Sequence, residues 1–71
     1  MNRELAESIG RTLRAAREGL QLTPEQAAER INISAEVYAS IERGQSMPNM
    51  VTLARMVFEF GISADTMLGL E

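Results

Sequence analysis

Thr23 to Gly44 reads TPEQAAERINISAEVYASIERG, and this stretch decides the fold. Thr23 is a good helix N-cap, and Pro24 after it is favoured in a first turn, where its missing N–H costs nothing. Gln26, three residues after Thr23, completes a capping-box pattern. The spacing predicts a helix over residues 24–31, with Ala27, Ala28 and Ile31 on its buried side. Asn32 tolerates the left-handed conformation that ends a helix. Only Ile33 then precedes Ser34, a second N-cap, which predicts a helix over 35–43. Val37, Tyr38 and Ile41 are expected inward, and Gly44 stops the helix. Two short helices joined by so tight a turn make a helix-turn-helix corner, with the later helix presented outward.

Working outward, Leu5, Ile9, Leu13 and Ala16 recur at helical spacing and predict a first helix over 3–18. Gly19, just past its end, is expected to take the positive φ of a C′ residue. After the 35–43 helix comes a loop, Gln45-Ser46-Met47-Pro48-Asn49, in which Pro48 biases its neighbour away from helix. A fourth helix is expected over 50–60. Val51, Leu53, Ala54, Val57 and Phe58 give it a broad apolar face, and Gly61 stops it. Ser63 caps a short fifth helix over 64–68. There is no internal repeat, low-complexity tract or linker. The expectation is one all-α, compact five-helix domain over residues 1–71.

The composition agrees. In a chain of 71 residues with 45% hydrophobic but only 4% aromatic side chains, a compact helical core of aliphatic residues is favoured over a sandwich or barrel. There is no Cys and no His, which removes disulfides, zinc–thiolate sites, thiol nucleophiles and every Ser-His or Cys-His arrangement. Glu25 and Glu29 lie one helical turn apart, a spacing normal for a solvated face. No catalytic residue, metal site or cofactor is expected, and the chain is not expected to be an enzyme. No apolar run approaches the ~20 residues of a membrane span, and MNRELAES lacks a hydrophobic signal region. A cytoplasmic location with no membrane partner is expected. The net charge of −3 makes the long-range interaction with a polyphosphate weakly repulsive.

The stretches IGRTLRAARE, LTPEQAAERINIS, IERG and LARMVFEFGISADTMLG, in that order and spacing, resemble the Cro/CI-type, lambda-repressor-like helix-turn-helix domains (the XRE family) of phage repressors and their bacterial relatives. The resemblance covers roughly Ile9 to Leu70. It implies a sequence-specific DNA-binding transcriptional regulator with its third helix in the major groove, working as a two-fold homodimer on double-stranded DNA. It also implies an ion pair between Arg17 and Glu42 that fixes the third helix on the first. The chain departs from the family pattern at several places. Pro24 stands where Gln is common, which removes a side-chain and a backbone donor for phosphate. Ala27 replaces Leu, Asn32 replaces the turn Gly, and Tyr38 replaces a branched aliphatic. The loop after Gly44, often basic in DNA-binding relatives, is uncharged.

Carried onto this sequence, the base-reading positions are Ala35, Glu36, Ala39 and Ser40. Glu36 could accept from cytosine N4, the alanines could pack on a thymine methyl, and Ser40 could pair with almost any base. Equally, Glu36 suits a solvated acid near a helix N-terminus. Phosphate contacts are expected from Thr23, Gln26, Arg43, Gln45 and Asn49, with the amides of the second helix. Of these only Arg43 brings charge, and a cation at a helix C-terminus is favoured in any case. Arg11 and Arg14 read as surface charges paired with Glu7 and Glu18. A dimer or partner surface is expected from Met47, Met50, Met67 and Leu70, while Phe58 and Leu68 are expected in the core. The acidic balance, Pro24 and the methionines also suit a second function, a protein-interaction module that keeps the fold but binds DNA weakly or not at all.

Overall fold

The computed structural model describes residues 2–70; Met1 and Glu71 lie outside it. Among the described residues there are five helices and no strand: α1 (Arg3–Gly19), α2 (Pro24–Arg30), α3 (Ala35–Glu42), α4 (Met50–Phe60) and α5 (Ala64–Leu68). Each begins on a side chain able to accept from the open amides of a first turn. These are Asn2, Thr23, Ser34, Asn49 and Ser63. At Thr23 the reciprocal bond is also made, with the Thr23 amide donating to Gln26 Oε1 at 2.9 Å. Such caps are worth about 1 kcal/mol each, and they explain why helices this short hold their limits.

The exits are equally uniform. At the end of α2, Asn32 takes φ 59°. Its amide donates to Glu29 O at 3.1 Å, and the Ile33 amide reaches Ala28 O at 3.1 Å. That pair of bonds is the Schellman closure. It turns the chain into α3 within four residues. The same closure ends α3 at Gly44, φ 74°, with the Gln45 amide on Ser40 O at 2.9 Å. At the end of α1 the left-handed residue is Gln21, φ 58°, and not Gly19. The helix runs one residue further than expected, through Gly19, so the C′ position falls two residues later.

α3 packs on both α1 and α2, and α5 returns against α1. The core gathers Ile9, Leu13, Ala27, Ala28, Ile31, Tyr38, Ile41, Met56, Phe60, Ile62 and Met67. Gly10 makes the α1–α3 approach possible. A Cβ there would stand 2.5 Å from Glu42 O and 2.6 Å from Ile41 O.

Several expected burials are reversed. Met67, expected on an exposed partner surface, is only 2% exposed, because α5 docks inward on α1 and its carbonyl accepts from Ser8 Oγ at 3.1 Å. Phe58 and Leu68, expected in the core, are both exposed, Phe58 at 85%. The face of α4 that enters the core is Thr52, Met56 and Phe60, with Leu53 and Val57 half-buried behind it. Val51 and Ala54 therefore stand in solvent with Phe58. Val37, expected inward on α3, is 48% exposed, since Tyr38 and Ile41 alone fill that side.

Candidate nucleic-acid interface

The α2–α3 unit is held from outside by two arginines. Arg17 on α1 donates from Nε to Glu42 Oε2 at 2.7 Å and from Nη2 to Glu42 Oε1 at 3.2 Å, a bidentate pair. Its Nη1 donates to Leu22 O at 3.0 Å, just before α2 starts. Both side chains are nearly enclosed, with 13% and 12% of their surfaces accessible. The hydrogen bond to Glu42 raises the pKa of Arg17 above its ordinary value. For Glu42, burial pulls the pKa upward most strongly of any one cause, but the hydrogen bonding and charge of Arg17, with Tyr38 beside it, together hold the carboxyl below its ordinary value. The ion pair implied by the family resemblance is therefore present and charged. Tyr38 lies beside it. Burial pushes its pKa up, so the hydroxyl stays protonated. It sits near enough to Glu42 to favour the carboxylate, but without hydrogen-bond geometry to any group.

Arg55 of α4 does the corresponding work at the far end of α2, donating from Nη1 to Ile31 O at 3.3 Å. Sequence reasoning missed it. An Arg in the middle of an apolar helix gives no sign of which carbonyl it will reach. Gly10 was missed too, although an isolated Gly inside a helical pattern is a signal for close packing.

With its inner side fixed by Tyr38, Ile41 and Glu42, α3 turns Ala35 and Glu36 fully outward. Ala39 and Ser40 are half-buried on the same side, and Arg43 is exposed at its end. Of the five candidate phosphate contacts, the four that carry an acceptor share one property. Thr23 Oγ1 accepts from the Gln26 amide, Gln26 Oε1 from the Thr23 amide, Asn49 Oδ1 from the Thr52 amide, and Gln45 Oε1 from Arg43 Nε. In each case the acceptor is already used inside the protein. The Thr23 hydroxyl proton, three side-chain NH₂ groups and the rest of the Arg43 guanidinium remain as donors. A set of free donors with satisfied acceptors is what a phosphate requires. The amides of α2 contribute less than expected: Pro24 has none, that of Gln26 is bonded to Thr23, and Glu25 keeps the free one of that turn.

A family model for the helix-turn-helix domain matches residues 8–67. The chain belongs to that family, in its Cro/CI-type branch. It is also similar to an immunity repressor protein of Bacillus phage phi105, with 33% identity over 64 residues. That alignment covers 90% of this chain and 44% of the phage protein, so the chain spans less than half of that relative's length. No solved structure matches.

Within this helix-turn-helix domain the polar surroundings of α3 carry few cations. Glu25, Glu29 and Glu36 are exposed on α2 and α3, against Arg30 and Arg43. Arg14 is turned aside to Glu18 at 3.4 Å, and Arg11 makes no ion pair with Glu7 among the described residues. No helix is long and apolar enough to cross a membrane, and no cluster of three or more carboxylates suited to a metal is present, among the described residues.

Proposed function

We propose that this domain is a DNA-binding transcriptional regulator that places α3 in the major groove and works as a two-fold dimer in the cytoplasm. The observation that carries the proposal is an outward α3 whose neighbouring Thr23, Gln26, Gln45 and Asn49 have their acceptors bonded within the protein and keep free donor hydrogens. Thr23, Gln26, Arg43, Gln45 and Asn49 take phosphates, while Ala35, Glu36, Ala39 and Ser40 face base edges. Kinship with a protein named as an immunity repressor supports the same reading. Glu36 acts chiefly by rejection. A carboxylate beside phosphates is costly unless it finds a donor, and the groove offers one at cytosine N4, the expected partner, and one at adenine N6.

Selection from a random duplex pool at low salt tests this. A short palindromic site is expected, with half-sites about one helical turn, roughly 34 Å, apart. If no sequence is enriched, the proposal fails. The three exposed carboxylates of α2 and α3, with Pro24 at the first position of α2, favour one other reading, a protein-interaction module on the same scaffold. Titration with generic duplex at low salt separates the two. Association that weakens as salt is added supports the regulator, and no association supports the module.

A further inference from the structure

On the side of α4 away from the core, Met50, Val51, Ala54 and Phe58 all stand in solvent, Met50 at 79% exposure. At 100° per residue their spacing confines them to an arc of about 100°. The two charged residues of the helix, Arg55 and Glu59, lie outside that arc, and Arg55 is turned to Ile31 O. Singly exposed apolar residues are ordinary, but a continuous stripe marks a contact surface.

We propose that this stripe is where a second copy of the chain packs, α4 against α4, antiparallel about a two-fold axis near Ala54. The pattern is complementary to itself, as such an interface demands. The small Ala54 lies between large side chains, so two helices can cross closely there, and Phe58 of each copy falls across Met50 and Val51 of the other. No like charges meet at the centre, although each copy is acidic overall. The area suits a weak, reversible pair. The exposed parts of Met50, Val51 and Phe58, with Met47 in the loop just before them, come to roughly 500 Å², so a pair that covered all of it would remove at most about 1,000 Å² from water, the range of small, transient interfaces. This surface deepens the dimeric regulator reading and rests on it, replacing Met67 and Leu70 as the contact.

Sedimentation of the DNA-free protein from about 10 µM to about 1 mM tests the surface, a range in which a weak, reversible pair shows both states. A monomer–dimer equilibrium is expected. Phe58→Glu should weaken it at least about thirty-fold, the effect of losing a central aromatic anchor, and Val51→Glu should act in the same direction. Both should melt as the parent does by circular dichroism, because neither side chain is in the core. Leu70→Glu, just beyond α5, should leave the equilibrium unchanged. Oxidised Ala54→Cys should give a covalent dimer. A chain that stays monomeric throughout, a dimer indifferent to Phe58→Glu, one dissolved by Leu70→Glu, or no Ala54→Cys cross-link overturns the proposal. With DNA absent, these failures are distinct from a failure of duplex selection.

Discussion

Replacing Gly10 by Ala inverts an ordinary rule. In the middle of a helix, Ala is favoured over Gly by about 0.5–1 kcal/mol. At Gly10 the added methyl would stand 2.5 Å from Glu42 O and 2.6 Å from Ile41 O. Ordinary carbon–oxygen contacts begin near ~3.3 Å, so α1 and α3 must part by roughly 0.8 Å at that point. The obstacle is backbone carbonyl, which cannot swing aside as a side chain could. Overpacking of this kind costs about 1–3 kcal/mol, and parting the helices also strains the 2.7 Å bond from Arg17 to Glu42. The net expectation is a loss of about 1–2 kcal/mol, or a fall in Tm of roughly 4–16 °C for a domain this size. Gly19→Ala is the control. It lies in the same helix with nothing within 4 Å of the added carbon, so Tm should hold or rise. Thermal melts followed by circular dichroism decide the matter. If Gly10→Ala melts at or above the parent, the close α1–α3 approach is wrong.

Tyr38→Phe removes a buried hydroxyl with no hydrogen bond, so urea denaturation should find the variant more stable by about 1 kcal/mol; an equal loss would mean that the hydroxyl is bonded to Glu42. Glu42→Gln should cost about 3 kcal/mol at neutral pH by leaving Arg17 enclosed and uncompensated. Because the folded state holds the Glu42 pKa below its ordinary value of 4.5, the parent's advantage is complete above that value and lost as pH falls through the folded pKa. An advantage that grew on acidification, measured by urea midpoints from neutral to acid, would contradict the charged pair. Arg43→Ala should flatten the salt dependence of duplex binding by about 2 in slope for a dimer, at about 0.9 per phosphate; an unchanged slope would remove Arg43 from the interface.

What could be read in advance was what local chemistry determines. Thr23, Asn32, Ser34 and Gly44 act on backbone groups within a few residues of themselves, so the α2–α3 corner was legible from the chain. The Arg17–Glu42 pair was legible only through the family resemblance, since nothing local joins residues 25 apart. The failures fall where tertiary contact chooses among locally equal options. α4 is apolar on nearly every side, and its pattern does not distinguish Phe60, which is buried, from Phe58, which is not. Met67 was misplaced for the same reason. A five-residue helix can turn any face inward, and docking on α1 selected Met67. Gly19 was favoured as the left-handed residue on intrinsic cost alone, but the path from α1 into α2 puts that demand on Gln21, which bears it. In the site, the caps at Thr23 and Gln26 could be foreseen. The Arg43–Gln45 bond depends on two exposed side chains meeting, and no spacing rule anticipates it.

The net charge of −3 bears less on the proposed function than its sign suggests. Screening limits exposed charges to about 8–10 Å at physiological salt, whereas the domain measures 27 × 21 × 20 Å. Carboxylates on the far side of so wide a body act weakly on a duplex at α3. The groups that matter are those on the reading face, where Arg43 and several neutral donors are set against Glu36 and the acids of α2. If α3 reads DNA as proposed, such a face attracts phosphate weakly, and Glu36 penalises any base that offers no proton. Weak attraction per copy makes occupancy of a site depend on the number of copies joined. Two α3 helices held by one α4–α4 contact double the donors, Arg43 included, that one duplex meets. On the reading proposed here, the apolar stripe on α4 supplies the avidity that the sparse electrostatics of α3 leaves out.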